Sequence, residues 1–538
     1  MAHTVLTGDT LFVNGTVLTM DRAQPEAKAV LVRGERIVAA GDADTLRGLA
    51  APGAQIIDLA GQTLVPGFNE AHNHMIDFGL SLAQVDCRAP GCGNIAEMQR
   101  RIAARVEETR TGAWVRGRGY DDQALAERRH PTRADLDAAA PEHPVVVVNA
   151  SGHLCVANSC ALMLAGITGA TQAPEGGGIV HDANGEPTGL LLETAQGLVT
   201  RLLPPPTSDE LVAALGRCAQ AYLAAGITSS ADARVGTAEA MGAFQHATET
   251  GVNPLRTTLM MHHPLLPHLA AVGARTGFGS DRLRWGALKI FIDGSLIGRT
   301  AAVTQPFLHD PQPDNLGLLM MGEAVFREIV MDAHRAGWQV AVHAIGDRAI
   351  ALVLDAYEAA LDAYPRADHR HRIEHCGILR PDLITRIAQR GVVVVPQPVF
   401  ITEYGDSFIR HLGPERAALT YPLRSLLDAN IPVVFSSDCP VSAFEPLKSI
   451  QVSVTERTGS GAPYAPSEAI TVMEALRAYT VMGAYATFEE ANKGAIMPGM
   501  LADFAVLAHD PRTVPTDEIA AIPVTQTWIG GKQAYTLS

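Results

Sequence analysis

Apolar, strand-like runs alternate with helical stretches along most of this chain, and this alternation constrains its fold more than any other feature. After a first run, "TLVPGFNEAHNH", seven more follow at 226–233, 254–263, 284–295, 338–347, 371–379, 391–400 and 431–440. Amphipathic segments such as "PDLITRIAQR" fill most of the later intervals. Because repeated strand–helix units close naturally into a parallel barrel, we predict an α/β protein built on a (β/α)8 TIM barrel.

The two ends of the chain predict a second domain. Residues 10–65 read as short β segments separated by Gly, Asp and Asn turn signals, and the C-terminal residues are again β-like. We therefore predict a composite β-sandwich of residues 1–65 and 491–538, with the barrel at 66–490. Residues of about 80–205 have a helix and strands of their own, which predicts a subdomain inserted after the first barrel strand. Barrel loops on that side line active sites, so we expect this subdomain to act as a lid or pocket wall.

Composition narrows the classes of partner. The net charge is −15 and no basic cluster occurs, which argues against nucleic acid and anionic membranes as partners. The seven cysteines contain no CxxC pair, so neither a disulfide framework nor a zinc ribbon fits, and a reducing cytoplasm is the expected location. The N-terminus has no signal-peptide pattern and no run approaches the ~20 apolar residues of a membrane span. We expect a soluble cytoplasmic protein that binds a small molecule.

Histidine, lysine and aspartate occur at the C-terminal ends of the predicted barrel strands, where barrel enzymes place their chemistry. They are His72 and His74 (strand one), Lys289 (strand four), His343 (strand five), His375 (strand six) and Asp438 (strand eight). Residues i and i+2 of an extended segment point to the same side, so the His72 and His74 imidazoles face one point. Two exposed loop histidines would explain that pair alone equally well. The other strand ends favour a divalent metal, zinc above all, held by imidazole and carboxylate ligands.

A lysine among such ligands is unusual, because an ammonium repels a cation and has to be neutral to share the site. Carboxylation by carbon dioxide would convert Lys289 into an anionic ligand that bridges two metals. We therefore expect one or two ions in each chain.

Six segments carry a family resemblance: "PGFNEAHNH", "KIFIDGS", "VAVHAIGDRAI", "HRIEHC", "FSSDCPV" and "GAIMPGMLADFAVL". Together they resemble the amidohydrolase superfamily, in particular its branch of YtcJ-like proteins and N-substituted formamide deformylases. The resemblance spans nearly the whole chain and implies a metal-dependent hydrolase on a barrel with a β-sandwich from both termini. It implies that His72 and His74 bind the more buried metal, that Lys289 is the bridging carboxylated lysine, and that His343 and His375 bind the second metal. Asp438 would bind metal and act as acid/base, and the resemblance also suggests a homodimer.

Three functions are compatible with these residues. The first is hydrolysis of a carbon–nitrogen amide bond in a small N-substituted amide, a formamide or other N-acyl amine, by metal-activated water. Asp438 would take the second proton of that water and deliver it to the leaving amine. The second is hydrolytic deamination of an aminated heterocycle, and the third is a non-catalytic protein that kept the fold.

Other residues are weaker candidates. His153, in the insertion, would hydrogen-bond the substrate carbonyl or its oxyanion, or pack in a loop. Asp293 would contact substrate or orient a ligand, although Asp-Gly is equally a turn signal. Tyr120 and Asp121 would line the pocket, but a structural role explains them as well. Cys376 and Cys439, beside two predicted ligands, are interpreted as small buried packing residues.

Overall fold

The computed structural model describes residues 8–88, 91–122, 124–149, 152, 154–174, 176–310 and 312–537. The chain forms two compact units. The main unit comprises Met1–Met75 and Leu215–Ser538, and the inserted unit comprises Ile76–Ala214.

Seven parallel strands of the main unit form a nearly closed barrel, so the predicted α/β barrel fold is confirmed. In spatial order they are Phe68–Asn73, Ile227–Val235, Arg256–His262, Leu283–Phe291, Val340–Ala344, Arg372–His375 and Val393–Val395. We call them barrel strands one to seven. Their residues are almost all buried on both faces, which explains the near-continuous apolar runs in the sequence.

The eighth predicted strand, at 431–440, is not a regular strand. Among the described residues it makes a single parallel bridge, between Val394 and Val433. It still closes the ring through individual hydrogen bonds: Val434 N–H donates to the carbonyl of Val394 (2.9 Å), and Asp438 N–H donates to the carbonyl of His72 (2.9 Å). A left-handed backbone at Asp438 (φ 59°) interrupts the extended geometry that a ladder requires. The irregular segment thereby brings a predicted ligand beside barrel strand one.

Helices follow most of the barrel strands. In the main unit they span Ala238–Glu249, Leu266–Ala271, Glu323–Arg335, Asp347–Ala363, Pro381–Arg390, Val399–Leu412, Pro414–Ala417, Leu423–Asp428, Pro446–Thr455, Val472–Tyr479 and Val481–Ala486. Ser208–Ala224 leads from the inserted unit into barrel strand two. The helix Pro381–Arg390 shows why the sequence forms these elements: proline occupies its first turn and Gly391 (φ 65°) ends it.

Two sheets lie outside the barrel, the first built from N-terminal strands alone and the second from strands of both chain ends. One contains Arg36–Gly41, Ala29–Arg33, Asp9–Val13 and Gln55–Asp58 in spatial order, with the helix Ala43–Leu49 packed on it. The other contains Lys532–Thr536, Val524–Ile529, Phe504–Leu507, Thr63–Pro66, Thr16–Leu18 and Glu26–Ala27. Arg256, at the start of barrel strand three, forms a buried two-bond ion pair with Asp503 beside Phe504–Leu507. This pair ties the barrel to the second sheet.

The first predicted barrel strand is therefore two strands. Thr63–Pro66 belongs to the second sheet and Phe68–Asn73 to the barrel. Gly67 separates them, and a Cβ atom at this position would lie 2.1 Å from the hydroxyl oxygen of Thr228. Only glycine fits at this crossing, because any side chain would collide with barrel strand two.

The inserted unit contains one mixed sheet and short helices. Its strands, in spatial order, are Gly177–His181, Pro187–Glu193, Leu154–Ala157, Val145–Asn149, Val115–Tyr120 and Val85–Asp86. Its helices are Met75–Leu82, Ile95–Glu107, Arg133–Ala139, Ser159–Leu164 and Gly197–Thr200. Within the described part of the chain, none of the helices combines the length and apolar character needed to cross a bilayer.

Candidate metal centre

Two histidines and one aspartate converge at the C-terminal end of the barrel. Nε2 of His72 lies 3.4 Å from Oδ1 of Asp438, and Nε2 of His74 lies 3.3 Å from the same oxygen. Ligand atoms of the three side chains all lie within 4.8 Å of one another. Two imidazoles and a carboxylate at this spacing are the donors that zinc and similar divalent ions prefer.

The other two predicted histidine ligands lie on the same side of the ring. The imidazole centroids of His72 and His375 are 4.9 Å apart, and those of His375 and His343 are 4.4 Å apart. The ends of barrel strands one, five and six thus bring three imidazoles into a continuous row. This row adjoins the group formed by His72, His74 and Asp438.

Lys289 joins this group from barrel strand four. Its Nζ lies 3.4 Å from Nε2 of His72, and its side chain is fully buried. Among the described residues Nζ has no carboxylate within ion-pair distance, although the ring of Phe291 lies 4.7 Å away. Burial lowers the pKa of Lys289 to about 8. All six predicted ligands are therefore neighbours in this structure.

Buried hydrogen bonds fix the orientation of the imidazoles. Nδ1 of His72 contacts a carboxylate oxygen of Glu374, which is itself held by two hydrogen bonds from Arg372. The other nitrogen of His72, Nε2, is the one that faces Lys289 and Asp438. A carboxylate behind a histidine is a common support for a metal ligand, because it fixes the ring and raises its basicity.

The other two imidazoles of the row also have oxygen partners. Nδ1 of His375 lies 2.7 Å from Oε1 of Gln397, and Nε2 of His343 lies 3.0 Å from the carbonyl oxygen of Gly294. Nε2 of His375 and Nδ1 of His343 are thereby left as the nitrogens for a ligand.

Burial favours the neutral imidazoles that a metal requires. It lowers the pKa of His343 to about 3, with a further contribution from the charge of Lys289. Burial likewise places the pKa values of His72 and His375 well below the ordinary range. At His74 burial acts in the same direction, but the hydrogen bond and charge of Asp438 outweigh it and raise the pKa. Protonated His72 and His375 would be incompatible with this environment, so both offer lone pairs at neutral pH.

The backbone is unusual at two of the predicted ligands. His375 (φ 66°), Cys376 (φ 49°) and Asp438 (φ 59°) adopt the left-handed conformation. Side chains other than glycine reach this region at a cost of roughly 1–3 kcal/mol, and such residues cluster at active sites. Cys376 and Cys439 are almost completely buried, at 0% and 1% exposure.

The remaining sequence candidates have different environments. Asp293 is fully buried and accepts backbone hydrogen bonds from Ala302, Ile345 and Gly346, while its Oδ1 lies 3.7 Å from Nε2 of His343. Tyr120 is buried in the core of the inserted unit and its hydroxyl lies 3.2 Å from Nδ1 of His130. Asp121 is exposed in the same unit, and His153 lies outside the described residues.

Sequence reasoning missed the residues that support the ligands. Glu374 directly precedes His375 in the segment "HRIEHC". A carboxylate next to a predicted metal ligand could have indicated a supporting role. Gln397 gave no such signal, because it is 22 residues from His375 in the sequence and meets it only in the folded chain. Glu70 was also missed: its Oε1 accepts the backbone N–H groups of His72 and Ser437, which links barrel strand one to the irregular eighth segment.

A parallel barrel with histidines and a carboxylate gathered at its C-terminal strand ends has the architecture of a barrel enzyme. The sequence profile of the amidohydrolase family matches residues 55–535, so the chain belongs to that family. This confirms the resemblance found in the sequence and the predicted enzyme class, a hydrolase that acts on carbon–nitrogen bonds.

Two relatives are similar to this chain along almost their whole length. An N-substituted formamide deformylase from Arthrobacter pascens is 34% identical over 98% of each chain. The putative amidohydrolase YtcJ from Bacillus subtilis strain 168 is 31% identical over 97% of this chain and 99% of its own. Among solved structures, an uncharacterized metal-dependent hydrolase from Pyrococcus horikoshii OT3 matches with a TM-score of 0.78 and 26% identity, over 95% of this chain and 99% of its own.

Proposed function

We propose that this protein uses a divalent metal, zinc first among the candidates, to hydrolyse the amide bond of a small N-substituted amide, a formamide or other N-acyl amine. The observation that carries the proposal is the convergence of His72, His74 and Asp438, whose ligand atoms lie within 4.8 Å of one another. The similarity to a formamide deformylase over 98% of each chain supports the class of substrate.

The side chains fit one or two ions. His72, His74 and Asp438 supply two nitrogens and an oxygen, the mixed donor set of catalytic zinc sites. His343 and His375 would hold a second ion, with Lys289 carboxylated on Nζ as the bridging ligand. Carboxylation forms a bond from Nζ of the neutral amine to the carbon of carbon dioxide and releases one proton. The product is an anionic carbamate, in place of an ammonium that would repel the metals.

A bound divalent ion polarises a substrate carbonyl and lowers the pKa of water to about 7. Asp438 handles the protons in this proposal. Its Oδ1 lies within 3.4 Å of both His72 and His74, and the residue retains 7% exposure at the mouth of the barrel. We assign it to accept a proton from the attacking water and to pass that proton to the leaving nitrogen as the carbon–nitrogen bond breaks.

A panel of substrates tests this proposal. N-substituted formamides, the matching acetamides and an aminated heterocycle are incubated with metal-loaded protein, and primary amine, ammonia and carboxylic acid are each quantified. Release of amine and acid in equal amounts supports amide hydrolysis, and the ratio between formamides and acetamides ranks the acyl groups. Release of ammonia from the heterocycle alone, or no product while the metal remains bound, would contradict it.

A further inference from the structure

Barrel strands two and three lie side by side and contribute none of the six ligand candidates. They end at Val235 and His262, at the same end of the barrel as His72 and Lys289. Because barrel enzymes bind substrate at this end, the side chains here are placed to contact the part of a substrate that does not react.

Arg234 stands at the end of barrel strand two. Its side chain is exposed, and within the described part of the chain its guanidinium makes no hydrogen bond or ion pair. Asp232, two residues earlier, accepts the backbone N–H groups of Met75 and Arg234 through its carboxylate oxygens. Arg234 is therefore a cation without an ionic partner among the described residues, in a chain whose net charge is −15.

His262 ends barrel strand three and is directly opposite Lys289 in the register of the neighbouring strand. Its imidazole is half-buried, with its centroid 6.1 Å from that of Phe291. Neither ring nitrogen has a hydrogen-bond partner among the residues described. A Cβ atom at Gly236, just beyond barrel strand two, would lie 3.3 Å from Nδ1 of His262, so the loop after that strand passes next to this ring.

The pKa values of His262 and Lys289 respond to the charge of Arg234. Burial lowers the pKa of His262 to about 4, and the charges of His263, Arg234 and Lys289 act in the same direction. Burial is the main cause of the lowered pKa of Lys289, and the charges of Arg372 and Arg234 act in the same direction. Val235, the residue after Arg234, pairs with Met261, the residue before His262, so Arg234 and His262 lie at neighbouring strand ends.

The helix after barrel strand seven, Val399–Leu412, contributes aromatic instead of cationic side chains near the predicted ligands. The ring of Phe400 is nearly parallel to that of His375, with centroids 6.4 Å apart, and the ring of Tyr404 lies 5.4 Å from Phe400. The surroundings of the ligands therefore contain a cationic, hydrogen-bonding side and an aromatic side. A substrate that complements both carries an apolar portion and an anionic group.

We propose that Arg234 and His262 form an anion-binding subsite, so that the preferred substrate is an N-acyl amine that also carries a carboxylate. This inference rests on the proposed function. The planar guanidinium binds a carboxylate through two parallel hydrogen bonds, and an imidazole N–H adds a third donor.

The test compares an N-formyl amino acid with the corresponding N-formyl amino acid amide, which has nearly the same shape and no charge. We expect metal-loaded wild-type protein to favour the carboxylate in kcat/KM. Arg234→Gln should lower kcat/KM for the carboxylate about 10- to 100-fold, mainly through KM, and change that for the amide less than about threefold. Arg47→Gln, an exposed arginine on the helix Ala43–Leu49, is the matched control and should behave as wild type.

A binding measurement separates failure of the subsite from failure of the proposed function. Phenylacetate and phenylacetamide are titrated calorimetrically into metal-loaded wild-type protein and both variants. The subsite is supported if phenylacetate binds wild type and Arg47→Gln but binds Arg234→Gln at least about 10-fold more weakly. This result would support the subsite even if neither formyl compound is hydrolysed. Two results would overturn the subsite. The first is equal phenylacetate affinity in all three proteins, which is expected if the metal alone holds the carboxylate. The second is equal kcat/KM for both formyl compounds in wild type.

Discussion

Nζ of Lys289 lies 3.4 Å from Nε2 of His72, and both side chains are shielded from solvent. A positive charge at this distance opposes the binding of any cation by His72. The proposed carboxylation of Lys289 would remove that conflict, because it would replace the ammonium with an anionic oxygen ligand.

Lys289→Met keeps most of the volume of the side chain but removes the nitrogen. We expect the metal content per chain to fall by one ion and hydrolysis to fall with it, measured by elemental analysis and amine release. Native mass spectrometry of wild-type protein should show the added mass of one carbon dioxide molecule, lost after acid treatment. Lys448→Met, at an exposed lysine paired with Glu445, is the control. Unchanged metal content and turnover in Lys289→Met would contradict a bridging role.

Asp438→Asn tests the proton-transfer role. The amide keeps an oxygen for the metal but cannot accept a proton, so we expect a 10²- to 10⁴-fold lower kcat with bound metal largely retained. Turnover and metal content are measured on the same preparation. A variant with full metal and full turnover would remove Asp438 from the mechanism.

The contact between Gln397 and His375 provides a test of ligand orientation. Gln397→Met removes the oxygen that lies 2.7 Å from Nδ1 of His375, so we expect metal affinity to fall about 10- to 100-fold. Metal titration against a competing chelator measures this change. Gln339→Met is the matched control, since Gln339 is also a buried glutamine and donates to the carbonyls of Arg370 and Ala486 at the opposite end of the strands. If both variants lose affinity equally, the effect is a general loss of stability.

Much of the fold followed from the sequence because the physical signal was local. The buried parallel strands are continuous apolar runs, and their polar C-terminal residues, such as His343 and His375, stand out against them. The prediction of a regular eighth strand at 431–440 was wrong. Its apolar residues are buried as in a strand, but its backbone turns at Asp438. Gln397 was not predicted, because its contact with His375 depends on how the folded chain brings two separate segments together.

Glu456 predicts a pH dependence of stability. It is 1% exposed, and burial raises its pKa from 4.5 to about 8, with the charge of Glu468 acting in the same direction. Between pH of about 4.5 and about 8, Glu456 keeps its proton in the folded protein and releases it in the unfolded chain. The free energy of unfolding therefore falls as pH rises through this window, by about 1.4 kcal/mol per unit at most.

Glu456→Gln should remove this slope. We expect the variant to match wild type near about pH 4.5 and to exceed its unfolding free energy by several kcal/mol above about pH 8, measured by denaturant unfolding. Glu518→Gln, at an exposed glutamate, should follow the wild-type curve. Parallel curves for wild type and Glu456→Gln across the whole range would show that the carboxyl group is not protonated in the folded protein.

The most direct test of the central claim is amine release from an N-substituted formamide before chelation, after chelation and after metal restoration, with bound metal counted at each stage. We predict release by the loaded protein, at least about 10²-fold less after chelation, and recovery in proportion to the ions restored. Release that persists after the metal has been removed would contradict a metal-dependent amide hydrolase, as would no release from a fully loaded protein.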